Sequence, residues 1–531
     1  MGRRRRTLSR LPTKPKLTPI AIYVLLALLC VGGLFFSKQN LVKTINGKVL
    51  DAYSGQPLGG VTLVLTNDRQ QARTAGIVQT FKTATDNFGV FQFPQATEGY
   101  SIAAENNNYR PYQASQSGLT SLEIKMVPTL LRGQVKDANG NPLPRTQVTL
   151  GSKSVETGSD GSFSFSDVPE SGTIQARAAG FRKGSVQFSK SVRSDITLQP
   201  FNVKGAYIAP ADIAGPSTLN NVLNSLSSTE LTAVVIDLKD ESGKVLYNSK
   251  VPVAAGAIAG NDKRIPDLQA LVKTLQAKNF YVIARIVGFQ DPVLTDLKPE
   301  WSIKSKSTGK AWVDTGSYNW VNPYNRDSWE YYLGLSEEAA KAGVDEIQFD
   351  GFHFPVLGKL DDINYALPEG RTSNETTRMD TIIGFFKAAR DKLSPLGVYT
   401  SITVYGTALV EGGDLGIGMN VATLAPQVDY ISPQIYPSEW SPGSFGIDKP
   451  AIKPYDLVRQ AMLSAKSLLK DRLSQVRPWL QDFSRGEAIY GEAQVRDEIR
   501  AVLEIQKKDV GGWILFNPGS RYTVAAIPPK S

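Results

Sequence analysis

From residue 203 onward, short apolar runs alternate with amphipathic stretches of helical period, and no other feature of the chain restricts its fold so tightly. Eight runs can be counted: VKGAYIA, AVVIDLKD, YVIARIV, DEIQFD, VYTSITV, DYISPQIY, VRPWLQD and GWILFN. Between them stand helical segments such as DSWEYYLGLSEEAAKAG and YDLVRQAMLSAKSLLK. This alternation is the signature of a parallel α/β sheet. Eight strand–helix units predict a (β/α)8 TIM barrel over 203–527 rather than an open doubly wound sheet. No G-x-G-x-x-G or Walker loop follows any of the runs, so nothing points to a nucleotide.

A chain of 531 residues is too long for one core, and the part before the barrel reads differently. Residues 43–127 and 129–200 look like one unit written twice. INGKVLDAYSGQPLGGVTLVL, TDNFGVFQF and YSIAAENNNYRPY in the first answer to LRGQVKDANGNPLPRTQVTL, GSDGSFSFSDV and IQARAAGFRKGSV in the second. Short alternating runs broken by Ser-Gly, Asn-Gly and Asp-Gly predict two all-β sandwiches. Asn87-Phe88-Gly89 and Asp160-Gly161 are read as hairpin turns. Both units resemble the carboxypeptidase regulatory-like (transthyretin-like) domain over their full length. Neither gathers a nucleophile, an acid pair or metal ligands, and a spacer or adhesive role is expected.

The net charge of +9 is misleading as a nucleic-acid signal. Residues 1–16, MGRRRRTLSRLPTKPK, hold seven basic side chains and no acid, and the remainder is nearly neutral. The uncharged run LTPIAIYVLLALLCVGGLFF follows, with roughly the 20 residues a helix needs to cross a bilayer. A basic tail beside such a run predicts a transmembrane signal-anchor helix over 17–37, with the tail cytoplasmic and the bulk of the chain extracytoplasmic. A cleaved signal peptide is the alternative, disfavoured by bulky Leu34, Phe35 and Phe36 where a cleavage site wants small residues. Cys30, the only cysteine, lies inside this run, so the exported domains rest on their own cores without disulfides.

In a barrel of this kind the working groups stand at the carboxyl ends of the strands. Within DEIQFD, alternation turns Ile347 and Phe349 toward the helices and Gln348 and Asp350 inward, with Asp350 at the mouth. The break at Gly351 then presents that carboxylate to a cleft; capping or pairing with Arg285 is the bland alternative. Hydrolysis of a glycosidic bond needs two carboxyl groups. Asp350 is the first candidate, and Asp482 and Glu439 rank level as its acid. Asp237 shares a face with Lys239 and lies near Arg285, which would hold it ionised and suit it to orienting substrate. Asp240, Gln348, Gln434, Tyr436 and Asn517 complete the polar rim. His353, the single histidine, reads as a rim hydrogen-bonding residue. It offers no two-histidine metal site, and no H-E-x-x-H occurs, so neither a metal nor any other cofactor is implied. All seven tryptophans lie in the barrel region. Trp312, Trp320 and Trp440 fall in loops beside the mouth, where flat faces could stack on sugars, whereas Trp329 and Trp513 read as core.

AVVIDLKDESGKVLY, YVIARIVGFQDP, DEIQFDGFHFP, DYISPQIYPSEW, RPWLQDF and GGWILFNP, in that order, resemble the glycoside hydrolase barrels of bacteria and archaea whose substrate is undefined. The likeness runs from about 203 to 517 and implies a glycosidase-type barrel with Asp350 in its active site. The chain departs from the family pattern F-D-Y-x-R-F-P at Gly351 and His353. Thr403 in SITVYG stands where relatives carry a carboxylate, and Glu439 stands where they carry a histidine. The resulting expectation is a membrane-anchored, extracytoplasmic glycoside hydrolase acting on a polysaccharide or oligosaccharide, with no nucleic-acid partner. The alternatives are a catalytically degenerate barrel that binds carbohydrate on sandwich spacers, and a purely structural envelope protein.

Overall fold

The computed structural model describes residues 43–67, 79–96, 99–116, 120–261, 264–507 and 511–530. The basic tail and the anchor expected over 17–37 lie outside the described residues. Among the described residues no helix is long and apolar enough to cross a membrane.

The two sandwiches have one topology. In the first, Lys43–Asp51 is the middle of a three-stranded sheet, antiparallel to Val90–Ala96 and parallel to Ser121–Met126. In the second, Leu131–Asp137 is antiparallel to Ser162–Phe165 and parallel to Ile196–Leu198. Each has a four-stranded second sheet of matching order. Inward side chains from both sheets of the first unit, among them Val49, Leu63, Phe91 and Ile102, form one core. The Asx-Gly turns match in detail. Gly89 and Gly161 both adopt φ of +74°, which L side chains rarely take, and their carbonyls accept hydrogen bonds from the amides of Val49 and Val135.

The eight expected runs close into a barrel of parallel strands. These are β1 (Lys204–Ile208), β2 (Ala233–Lys239), β3 (Tyr281–Val287), β4 (Glu346–Asp350), β5 (Tyr399–Tyr405), β6 (Tyr430–Ile435), β7 (Trp479–Gln481) and β8 (Trp513–Phe516). They read as unbroken apolar runs because both faces are covered. On β2, Val234, Ile236 and Leu238 join the layer under the helices while Ala233 and Val235 fill the interior. Ile347 and Phe349 of β4 likewise face the helices, where Phe349 meets Phe385 and Phe386 edge-on. The crossovers are less regular than eight equal units would be. The one between β5 and β6 carries only one turn of α-helix, Val421–Leu424, with 3-10 turns at Gly406–Leu409 and Ala425–Gln427, and β8 leads only to the 3-10 turn Val524–Ala526.

The second sandwich is seated on the barrel floor rather than held away from it. Tyr399 and Tyr430 open β5 and β6; the Tyr399 hydroxyl donates to the Phe181 carbonyl at 2.9 Å, and the Gly180 amide donates to the Tyr430 hydroxyl at 3.0 Å. Arg177, 4 % exposed, pairs with Asp429 at 3.3 Å and donates to the Ser394 hydroxyl at 2.9 Å. Ala179 and Phe201 pack against the barrel's interior cluster.

Candidate active site at the barrel mouth

Arg285 organises the mouth. Register sets Asp237 of β2 beside it, and Asp350 of β4 lies on the same inward face, one residue pair further toward the carboxyl end. Its Nη1 donates to Asp237 Oδ1 at 2.9 Å, while Nε and Nη2 both reach Asp350 Oδ2 at 2.7 Å. The outer oxygens are also engaged. The Tyr207 hydroxyl donates to Asp237 Oδ2 at 2.7 Å, and Thr403 donates to Asp350 Oδ1. A continuous polar arc therefore runs from β1 to β5 as Tyr207, Asp237, Arg285, Asp350 and Thr403.

Glu241, largely exposed, is a third and looser partner of this guanidinium at 3.8 Å, and the two carboxyls bound closely to it differ in environment. Asp237 is fully buried, and burial pushes its carboxyl up to about 6 against the opposing pull of Arg285 and Tyr207. Arg285 is expected to hold Asp237 ionised; at about 6 the carboxyl is ionised at pH 7 but takes up a proton far sooner than an ordinary carboxylate as pH falls, because desolvation outweighs the shared cation. Burial also works against the Arg285 charge, but Asp237 and Asp350 more than compensate and raise its pKa well above the usual value. Asp350 retains 13 % side-chain exposure at the mouth.

Beside Asp350, the turn at Gly351 has φ of +70°, and a Cβ there would lie 3.1 Å from the Gly288 carbonyl. That turn brings back His353, whose Nδ1 sits 2.7 Å from the Phe354 carbonyl and must therefore carry the proton. Its Nε2 then accepts from the Tyr405 hydroxyl at 3.2 Å. Burial lowers the His353 pKa, so the imidazole is neutral near pH 7 and this donor order holds. Tyr405 is 40 % exposed at the end of β5. Burial raises its phenol to about 12, with further contributions from Asp350 and Glu439. The same two carboxylates act on Tyr436. Glu439 closes the turn Pro437–Glu439 directly after β6, at the same end of the barrel as Asp350, 46 % exposed and ion-paired to Arg485 at 2.7 Å.

Residues 205–522 match the family model DUF4015, described as "Putative glycosyl hydrolase domain". The chain belongs to this family. Residues 131–205 match the carboxypeptidase regulatory-like domain. A hypothetical protein from Ruminiclostridium thermocellum is 32 % identical, covering 37 % of this chain and 96 % of its own, with a TM-score of 0.33. The PgaB (BpsB) glycoside hydrolase domain from Bordetella bronchiseptica is 13 % identical over 62 % of this chain and 100 % of its own, TM-score 0.47. A GH18 chitinase from Pseudoalteromonas aurantia is 12 % identical over 60 % and 94 %, TM-score 0.34. No curated protein matches the chain.

Within this glycosyl hydrolase-family barrel, several residues expected at the site have other employment. A bulge between Asp237 and Lys239 breaks the alternation, so the two do not share a face. Lys239 instead pairs with Asp291 at 2.9 Å, wholly buried, and donates to the Val287 carbonyl. Asp240 caps a turn by accepting from the amides of Ser242 and Lys244. Asp482, 3 % exposed, has both oxygens bound to Thr523 at 2.7 and 2.8 Å, and burial raises its pKa. It clasps the C-terminal segment and is not the free acid expected. Asn517 holds the next turn through Gly519 and Arg521.

Trp312 and Trp320 are 2 % and 3 % exposed, their indoles tied to the Lys359 carbonyl and to Asp314. They support the loops from within and offer no open stacking face. Trp440 is half-buried against Phe445, with ring centroids 5.4 Å apart. Gln348 lies beneath Asp350, donating to Ser401 and Ser432, and Gln434 remains partly exposed at the end of β6. Tyr436 is buried, stacked on Phe516. Tyr207 and Tyr405 escaped the sequence reading. The signal for Tyr405 was present in SITVY, where period two puts it on the face of Thr403 at the strand's end.

Proposed function

We propose that the barrel hydrolyses glycosidic bonds of a polysaccharide at this mouth, with Asp350 as the carboxylate that attacks the sugar or activates water and Glu439 as the acid. Asp350 does pair with Arg285, the structural role weighed against a catalytic one. What carries the catalytic reading is that the carboxylate so fixed at the carboxyl end of β4 keeps part of its surface open. Glu439, in the turn directly after β6, is an exposed carboxylate whose charge reaches the phenols of Tyr405 and Tyr436. Glu241, also exposed, lies 3.8 Å from Arg285 on the other side of the mouth. Glycosidases of the usual kind divide their work between two such groups. The basic tail and the apolar run over 17–37 support display of this activity outside the cell on a membrane anchor.

The test is a screen of the full chain on a panel of polysaccharides, with Asp350→Asn and Glu439→Gln beside the wild type. Wild type is expected to release reducing ends. Asp350→Asn is expected to abolish release, and Glu439→Gln to lower it by roughly 10²–10⁴, the usual share of a general acid. Undiminished hydrolysis by Asp350→Asn would remove that residue from the chemistry. A second reading, a barrel that binds carbohydrate without cleaving it, is favoured by Thr403, a hydroxyl at the end of β5 that occupies the second oxygen of Asp350. Tight binding by the wild type without product would select it.

A further inference from the structure

Next to the mouth the long loop after β4 leaves two adjoining surface cavities, of about 860 and 1310 Å³ measured out to open solvent. They share Leu367, Arg371 and Thr372, so they form one groove. Its lining includes Pro355, two residues past His353 along the chain, and Gly416, whose neighbour Ile417 accepts from the Phe354 amide at 3.0 Å. It also includes Tyr365 and, on the helix Arg326–Ala342, Trp329.

The charges in this groove are unbalanced. Lys306, Arg326, Arg371 and Arg378 line it against the two acids Asp361 and Asp380. Arg378 is neutralised by Asp414 at 2.6 Å, and Lys306 donates to the Asp361 carbonyl. Arg326 lies over the Trp329 ring, 5.4 Å from its centroid. Among the described residues neither Arg326 nor Arg371 has a carboxylate within ion-pair distance. Two guanidinium groups without a carboxylate partner, beside the partly exposed rings of Tyr324 and Tyr365, suit a ligand that is both a sugar and an anion.

We propose that this groove binds an acidic stretch of the polysaccharide, its anionic groups on Arg326 and Arg371, and so selects acidic over neutral chains for the mouth. The proposal rests on the carbohydrate-acting reading of the barrel. Titration calorimetry of the full chain with hexagalacturonate, a heparin hexasaccharide and methyl-esterified hexagalacturonate tests it, the ester having the same backbone without the charge. At low salt at least one acidic oligomer is expected to bind tenfold or more tighter than the ester, with the advantage shrinking as salt is raised. Arg326→Ala/Arg371→Ala is expected to lose at least tenfold for that oligomer, and Arg326→Lys/Arg371→Lys to lose less. Equal affinity for acid and ester, no binding of either acidic oligomer, or an unchanged double alanine variant would overturn the groove. A wild type that binds the acidic oligomer through these arginines yet cleaves no glycan would leave the groove standing and remove the hydrolase reading alone.

Discussion

Asp237 shows how one cation divided between two carboxyls decides their chemistry. Arg285 gives Asp350 two nitrogens and Asp237 only one, and Asp237 has no contact with solvent. The folded state therefore holds the Asp237 proton up to about pH 6, whereas an unfolded carboxyl releases it near 3.8. The folded chain binds more protons than the unfolded chain between those values, so this residue's contribution is greatest below about pH 4 and is lost as pH rises through 6. A shift of this size corresponds to on the order of 3 kcal/mol. Asp237→Asn removes the titration. Urea unfolding of both proteins from pH 4 to 7 should show the wild type losing stability relative to the variant as pH rises, most steeply between 4 and 6. Parallel curves would mean that Asp237 is ionised throughout. The nearness of Arg285 to both aspartates was legible in the residues, but the raised Asp237 carboxyl was not, because it depends on complete burial and on a bulge that sends Lys239 elsewhere.

At the scale of elements, legibility followed burial and turn chemistry. All eight barrel strands could be read because closed parallel strands must be apolar on both faces, and the hairpins because Asx-Gly pairs permit left-handed backbone. The shortened crossover before β6 was passed over, although Gly412, Gly413, Gly416 and Gly418, followed by Pro426, leave room for only a short helix. The turns themselves make a sharp comparison. At Gly161 a Cβ would lie 2.5 Å from the Val135 carbonyl with φ at +74°, whereas at Gly140, φ +85°, it would meet nothing within 4 Å. Gly140→Ala should cost about 1–2 kcal/mol for the left-handed backbone alone. Gly161→Ala adds a backbone clash of about 1–3 kcal/mol, so it should be the more damaging by that margin in denaturant unfolding of the full chain. Equal losses would show that the hairpin shifts freely to make room.

The largest-scale feature is the seam between the second sandwich and the barrel, and it escaped sequence reading because a floor contact has no period. Residues 177–181 are a strand end and a turn whose partners lie more than 200 positions away. The seam joins a hydrogen bond donated by Tyr399 and one accepted by Tyr430 to an ion pair between Arg177 and Asp429, both nearly buried. Removing one member of such a pair leaves the other uncompensated, which costs about 3–5 kcal/mol when burial is complete. Asp429 would keep the Thr400 amide at 2.8 Å, which places Arg177→Ala at the low end of that range. If the seam makes the sandwich and barrel one cooperative unit, the loss is shared. Amide exchange in the strand Leu131–Asp137 and in β6 should then accelerate together, by about a hundredfold for some 3 kcal/mol. Tyr430→Phe, which deletes one acceptor, should move both strands the same way by about tenfold or less. Acceleration confined to Leu131–Asp137, with β6 unchanged, would mean that the barrel holds its floor without the sandwich and that the second domain is a spacer after all.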